Sequence, residues 1–221
     1  MTTKSIFSTV FLFCAAVMAL GAFSPAMAEG DEGLYDAVPP EGSVFIRFIN
    51  DKPGSSELVP SVNGRERDGA KFGLIKPYSV AGNGNVDVGF GDAKTSFDAA
   101  PGGHYTVILQ KDDTLRIEKD PEAADPLKSQ IIFYNLTGRD DITVRTADGK
   151  ITVIGPVKAG ELQERAVNPI KVSFAVFSGD EKFADLEDWP LERGQSYTIS
   201  IVEGDDGKGV GSYVRARLSE E

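Results

Sequence analysis

The sequence predicts an all-β protein of two tandem antiparallel β-sandwich domains that arose by internal duplication and are joined by a short Pro-rich linker. Three observations carry this. Residues 130–202 repeat the pattern of residues 43–109. Short runs of alternating apolar residues recur between Gly, Asn and Asp turns. No segment after residue 28 sustains a helical period.

The repeat is read from matched landmarks. Asn50 and Asn135 each close an apolar run, and Asn63-Gly64 matches Asp148-Gly149 at the same offset of 85. Gly91-Asp92 matches Gly179-Asp180 at an offset of 88, and Tyr105-Thr106-Val107 matches Tyr197-Thr198-Ile199 at 92. The growing offset fits insertions in loops, although Pro77 and Pro156 differ by only 79 and require compensating gaps. Two copies make a two-domain protein rather than a solenoid.

In chain order, residues 1–28 read as a secretory signal peptide. Lys4 is followed by an apolar stretch from Ile6 to Phe23 and by Ala26-Met27-Ala28, a small-x-small cleavage site. The single cysteine, Cys14, leaves with it, so disulfides, thiolate metal sites and a cysteine nucleophile are excluded afterwards. Cys14 follows Phe13 rather than a small residue, which argues against a lipid anchor. The signal carries one of the 23 basic residues and none of the 34 acidic ones, so its removal leaves a net charge of −12. Such a chain repels polyanions, which argues against nucleic acid and anionic lipid as main partners.

Residues 29–42 form a polar lead-in and 43–118 the first sandwich. Val44, Ile46 and Phe48 alternate with Phe45, Arg47 and Ile49, a strand with at least one buried face. Asn63-Gly64 signals a two-residue hairpin, since both central residues of a type I′ turn need φ > 0. Residues 79–85 read as a loop, followed by strands around Val86–Phe90, Tyr105–Leu109 and Leu115–Ile117. Residues 119–128 contain two prolines and several acids, and read as a solvated linker. Residues 129–221 form the second sandwich. There Ile142–Arg145, Ile151–Val153, Val172–Val176, Tyr197–Ile201 and Val214–Leu218 alternate. Pro156 to Ala166 reads as mostly loop, with a helical turn near Glu161–Arg165.

Reactive chemistry is weakly signalled. His104 is the sole histidine and its matching position is Ser196, which points to a replaceable turn position rather than a catalytic base. Asp112-Asp113, Asp140-Asp141 and Asp205-Asp206 lack the spacing of a calcium loop and read as hairpin tips. Gly89-Phe90-Gly91 and Gly207-Lys208-Gly209 do not sit between a strand and a helix, so they read as turns rather than phosphate loops. No catalytic, cofactor or metal residue is assigned. Trp189 is the sole tryptophan, and Phe97 precedes Tyr105 as Trp189 precedes Tyr197. The recurrence suggests a lid over the core. The sharper reading makes Trp189 an anchor for a protein partner.

Several stretches together resemble the AlgF family: Gly33-Leu34-Tyr35, Ser43 through Asn50, Thr146-Ala147-Asp148-Gly149-Lys150, Asn168-Pro169-Ile170-Lys171-Val172 and Leu191-Glu192-Arg193-Gly194. The resemblance implies a periplasmic protein of alginate O-acetylation. It would be a non-catalytic adaptor beside a membrane-bound O-acyltransferase and periplasmic acetyl-transfer proteins, partners of the AlgI, AlgJ and AlgX type. Alginate is a polyanion, so the net charge predicts weak or no direct binding to it. Two other readings stay open. A carbohydrate-binding module would show aromatics such as Tyr134, Phe177, Tyr213 or Trp189 on one exposed sheet face. A cryptic acetyl-ester enzyme would use acids and serine.

Overall fold

The computed structural model describes residues 39–122, 125–186 and 189–216, and for Trp189 the backbone alone. The expected signal peptide and most of the lead-in lie outside these residues.

In the first half the strands are β1 (Val44–Asn50), β2 (Pro60–Val62), β3 (Arg65–Glu66), β4 (Ser79–Ala81), β5 (Gly84–Phe90), β6 (Ala93–Ala99), β7 (His104–Leu109) and β8 (Leu115–Lys119). In the second they are β9 (Ser129–Leu136), β10 (Ile142–Thr146), β11 (Thr152–Val157), β12 (Leu162–Val167), β13 (Lys171–Val172), β14 (Phe174–Ser178), β15 (Glu181–Asp185), β16 (Trp189–Pro190), β17 (Ser196–Glu203) and β18 (Gly209–Arg215). No helix occurs among the described residues.

The protein is all-β, and the second half repeats the first strand for strand. The sheets β4-β1-β7-β8 and β3-β2-β5-β6 correspond to β12-β9-β17-β18 and β11-β10-β14-β15. Only the small β13–β16 ladder has no counterpart among the described strands. The matched turns fall where the repeat requires them. Asn63 and Gly64 have φ of 49° and 76°, the I′ pattern expected between β2 and β3. Gly91 and Gly179 take positive φ at the first loop position of the β5–β6 and β14–β15 hairpins, the II′ pattern.

Three expectations need correction. The sheets are not purely antiparallel: β1 runs parallel to β7 and β9 parallel to β17. Each pair is separated in sequence by strands of the opposing sheet and by one edge strand of its own, so the chain crosses over before it returns. Second, residues 162–167 form β12 against β9 rather than a helical turn, because pairing satisfies a backbone whose local sequence is ambiguous. Likewise Ser79–Ala81 of the expected loop pairs with β1. Third, the acidic run after β8 is not uniformly solvated. Asp120 is 2% exposed.

The reason lies in how the halves meet. Val44, Ile46 and Phe48 of β1, with Tyr105, Val107 and Leu109 of β7, enter the first core. Ile131 and Phe133 of β9, with Tyr197, Ile199 and Ile201 of β17, enter the second. The alternate residues Ile49, Ile108, Ile132, Tyr134, Leu136 and Val202 form a third cluster between the halves. The β1–β7 and β9–β17 sheets are therefore buried on both faces, which explains why Val44–Asn50 and Ser129–Leu136 read as nearly unbroken apolar runs.

One charged pair lies in that seam. Arg47 is fully buried; its Nη2 donates to Asp120 Oδ2 at 2.8 Å, and its Nε and Nη1 donate to Thr106 and Thr198 Oγ1, each at 2.8 Å. Asp120 also accepts from the Tyr78, Thr106 and Tyr134 hydroxyls. Thr198 and Tyr134 come from the second half, so the network crosses the seam.

Removing one partner leaves the other charge buried. Arg47→Met should cost about 3–5 kcal/mol in urea unfolding, and adding Asp120→Asn should recover part of that loss. Two small, additive effects would show that the pair does not hold the seam.

Candidate functional site

His104 opens β7 and sits between rings. It stacks on Phe45 with centroids 4.5 Å apart and meets Tyr78 edge-on at 5.0 Å. Burial lowers its pKa, which favours the neutral ring. The Phe45–His104 pair of the parallel ladder corresponds to Gln130–Ser196 in the second half, where Ser196 Oγ donates to Gln130 Oε1 at 2.9 Å. The same position thus carries an aromatic stack in one half and a hydrogen bond in the other.

Four of these acids bond within or between loops. Asp112 accepts from Thr114 N and Oγ1, bonds that hold its carboxyl below the usual range. Asp140 accepts from Ala159 N, Asp141 from Ser178 Oγ, and Asp206 from Lys208 N. No metal-sized group of three or more His, Cys, Asp or Glu occurs among the described residues. The two glycine triplets lie at hairpins, between β5 and β6 and between β17 and β18.

Among the described side chains, the aromatics named for the carbohydrate-binding reading do not gather on one exposed face. Tyr134 is fully buried with its hydroxyl on Asp120, and Phe177 is buried under the Arg145 guanidinium. Tyr213 packs against the second core. Burial pushes the Tyr78 and Tyr134 phenols well above their ordinary pKa, with the Asp120 charge adding to the rise. Asn135, in the formal glycosylation sequence Asn135-Leu136-Thr137, is also fully buried. Its amide donates to Arg139 O and Val157 O and its carbonyl accepts from Thr137 N. Asn50 does the same work in the first half, donating to Ser55 Oγ and Ala70 O and accepting from Lys52 N.

Trp189 lies in the ladder that has no counterpart in the first half. Its backbone pairs with Val172, as Pro190 does with Lys171; its side chain lies outside the described residues. Two exposed apolar residues lie on segments tied to this ladder. Ile170 is 51% exposed, and its carbonyl accepts from Leu191 N at 2.9 Å. Leu127 is 61% exposed, beside Lys128, whose carbonyl accepts from Gly194 N at 2.8 Å. This end of the second half is the candidate docking surface that contains the expected anchor.

A crevice of about 310 Å³ at the seam was not signalled by the sequence. Asp51 lies in it, 7% exposed, with Oδ1 unpaired. Burial raises its carboxyl to about 7 against the opposing pull of Lys111 and Arg116. Arg116 Nη1 is occupied by Gly160 O at 3.1 Å. Nothing in the residues around Asp51 marks it in the sequence, because its burial depends on the other half.

A family model described as "Alginate O-acetyl transferase AlgF" matches residues 15–198. The chain belongs to the AlgF family. Relatives named "Alginate biosynthesis protein AlgF" include that of Pseudomonas syringae pv. tomato, 32% identical over 201 residues, covering 90% of this chain and 87% of the relative. That of Pseudomonas aeruginosa is 32% identical over 199 residues, covering 89% and 88%. That of Azotobacter vinelandii is 30% identical over 176 residues, covering 79% of each. The solved structure of the C-terminal domain of AlgF from P. aeruginosa is 34% identical, covers 40% of this chain and 98% of that one, and has a TM-score of 0.37.

For this AlgF-family chain His104 is a packing residue. His104→Ser should lower stability by about 0.5–1.5 kcal/mol through the lost ring contacts and leave alginate acetylation in cells unchanged. Lost acetylation with normal protein levels would make His104 functional.

Proposed function

We propose that the chain is a non-catalytic periplasmic adaptor in alginate O-acetylation. It would dock a membrane-bound O-acyltransferase and periplasmic acetyl-transfer proteins of the AlgI, AlgJ and AlgX type. Family membership supports the role in alginate biosynthesis and O-acetylation. The observation that carries the non-catalytic part is that the candidate reactive groups already have structural work. His104 is held between two rings, Asp112 and Asp206 hold turns, and Asp140 and Asp141 tie their loop to Ala159 and Ser178. A general base needs a nucleophile within hydrogen-bond reach, and no such pair is assembled around His104 among the described residues.

The charge argues for protein rather than polymer as the main partner. A surface of net −12 approaching a polyuronate is repelled unless bases are concentrated in one place. Several bases are already held locally: Arg47 by Asp120, Arg139 by Glu203, Arg215 by Glu192 and Lys208 by Asp206. An apolar contact centred on Trp189, Ile170 and Leu127 would be less sensitive to salt than a purely charged one.

The test mixes the purified protein with each periplasmic acetylation protein and with alginate, and measures binding at low and moderate salt. The reading predicts a salt-tolerant protein complex, weak alginate binding, and no acetyl-ester turnover by the chain alone. Tight alginate binding without a protein partner would replace it with the carbohydrate-binding reading, and turnover abolished by a point substitution would replace it with an enzyme.

A further inference from the structure

Buried polar atoms in proteins are normally bonded. Asp51 Oδ1 and Arg116 Nη2 are buried without a hydrogen-bond partner among the described residues, and both residues line the seam crevice of about 310 Å³. Asp51 follows β1 directly, and its N–H donates to Leu109 O at 2.9 Å, which fixes its backbone to the end of β7. Lys111 lies in the β7–β8 hairpin, Arg116 in β8 and Leu136 at the end of β9. Donors are in excess here. Arg116 gives Nη1 to Gly160 O, and its Nε stands 3.2 Å from Glu118 Oε1, an ion pair without the direction of a hydrogen bond. Lys111 uses one N–H of its ammonium on Glu203 O at 3.3 Å.

The other charged groups around the crevice are committed elsewhere. Asp112 accepts from Thr114 N and Oγ1, Glu203 pairs with Arg139, and Lys52 pairs with Asp113. Lys111 and Arg116 pull on the Asp51 carboxyl through space, yet neither bonds to it, and burial outweighs their pull. Asp51 is therefore protonated in a large share of molecules near neutral pH, and two cations face it across the crevice. A group that bridges them must offer acceptors to the cations and also take a hydrogen bond from the Asp51 carboxyl. A carboxylate does both with its two oxygens and supplies the counter-charge, which a hydroxyl does not. The buried side chains of Ile108 and Leu136 complete the lining. They suit a short alkyl chain, because they would leave further hydroxyls unbonded.

We propose that the seam crevice binds a short-chain monocarboxylate, whose carboxylate bridges Arg116 and Lys111 to Asp51 and shares one proton with the Asp51 carboxyl. The binding is non-covalent, and the proposal does not depend on the adaptor reading. The proton comes from solvent wherever Asp51 is ionised beforehand. Its carboxyl ionises at about 7 in the folded chain, so the carboxylate-binding form is lost as pH rises through that value. Apparent affinity should therefore fall by about tenfold between about pH 6 and about pH 8.

The experiment titrates the whole chain with acetate and with propionate at those two pH values, following the Gly138 and Gly160 amides and the Asp51 side-chain carboxyl by NMR. Dissociation constants on the order of millimolar are expected for ligands this small. Asp51→Asn offers a hydrogen-bond donor at every pH, so it should bind equally at both and, at the higher one, about tenfold more tightly than the parent. Lys111→Met, at an exposed position, should weaken binding by about threefold. Unchanged amide signals away from the crevice confirm that each variant is folded. No shift at Gly138 or Gly160 with either carboxylate overturns the site, as does binding that neither substitution alters. A pH dependence that survives Asp51→Asn places the proton elsewhere and overturns the proposal. Equal shifts from the same concentration of chloride, or of propanol, overturn carboxylate recognition. Mannuronate, a carboxylate ringed by hydroxyls, should bind more weakly than propionate; tighter binding overturns the short-chain assignment.

Discussion

A guanidinium buried between two β-sandwiches has to be neutralised where it lies, and Asp120 does this for Arg47. Stranding either charge in a dry seam costs several kcal/mol. The pair is tolerated because every strong donor around the carboxylate is directed at it: Arg47, Thr106 and Tyr78 from the first half, Tyr134 from the second. Beside the pair lies an apolar cluster, with Ile49 and Ile108 packed with Ile132, Leu136 and Val202. Apolar contacts alone specify position loosely. The directional bonds from Arg47 to Thr198 and from Tyr134 to Asp120 fix one arrangement of the halves, and with it the Asp51 crevice.

The duplication explains why the seam can be both symmetric and selective. Equivalent strands face each other, and Thr106 and Thr198, at matched positions, both accept from Arg47. The charge itself is not duplicated. By the offset that relates Asn50 to Asn135, Arg47 corresponds to Ile132, and Ile49 to Tyr134. The ion pair and the Tyr78 and Thr106 hydroxyls lie before β9, while the second half supplies only the hydroxyls of Tyr134 and Thr198, so the halves are not interchangeable. The same divergence separates His104 from Ser196 and gives the second half the β13–β16 ladder.

Most of the fold was legible from local chemistry. Alternation located the central strands, and Asn63-Gly64 and Gly91-Asp92 identified hairpins because their φ requirements are local. What depends on distant pairing was not legible. The parallel β1–β7 and β9–β17 ladders follow from topology, and β12 becomes a strand only because β9 lies beside it. Asp120 sits in a run of acids and prolines that composition reads as wet; nothing local distinguishes it from its neighbours. Tyr134 looked available for a sugar face for the same reason, until the second buried face of β9 is considered. The family was legible through turn and strand signatures, which carry no reactive chemistry. Asp51 was not legible either, because its burial depends on residues of the other half.

As an adaptor, the proposed role, the protein holds partners and forms no covalent bond to the acetyl group in transit. Intact-mass measurement of the chain, recovered from cells that are actively acetylating alginate and quenched rapidly, tests this most directly. The expected result is only the mass of the unmodified chain after leader removal. A population heavier by one acetyl group, located on a single side chain and lost when that side chain is replaced, would contradict it.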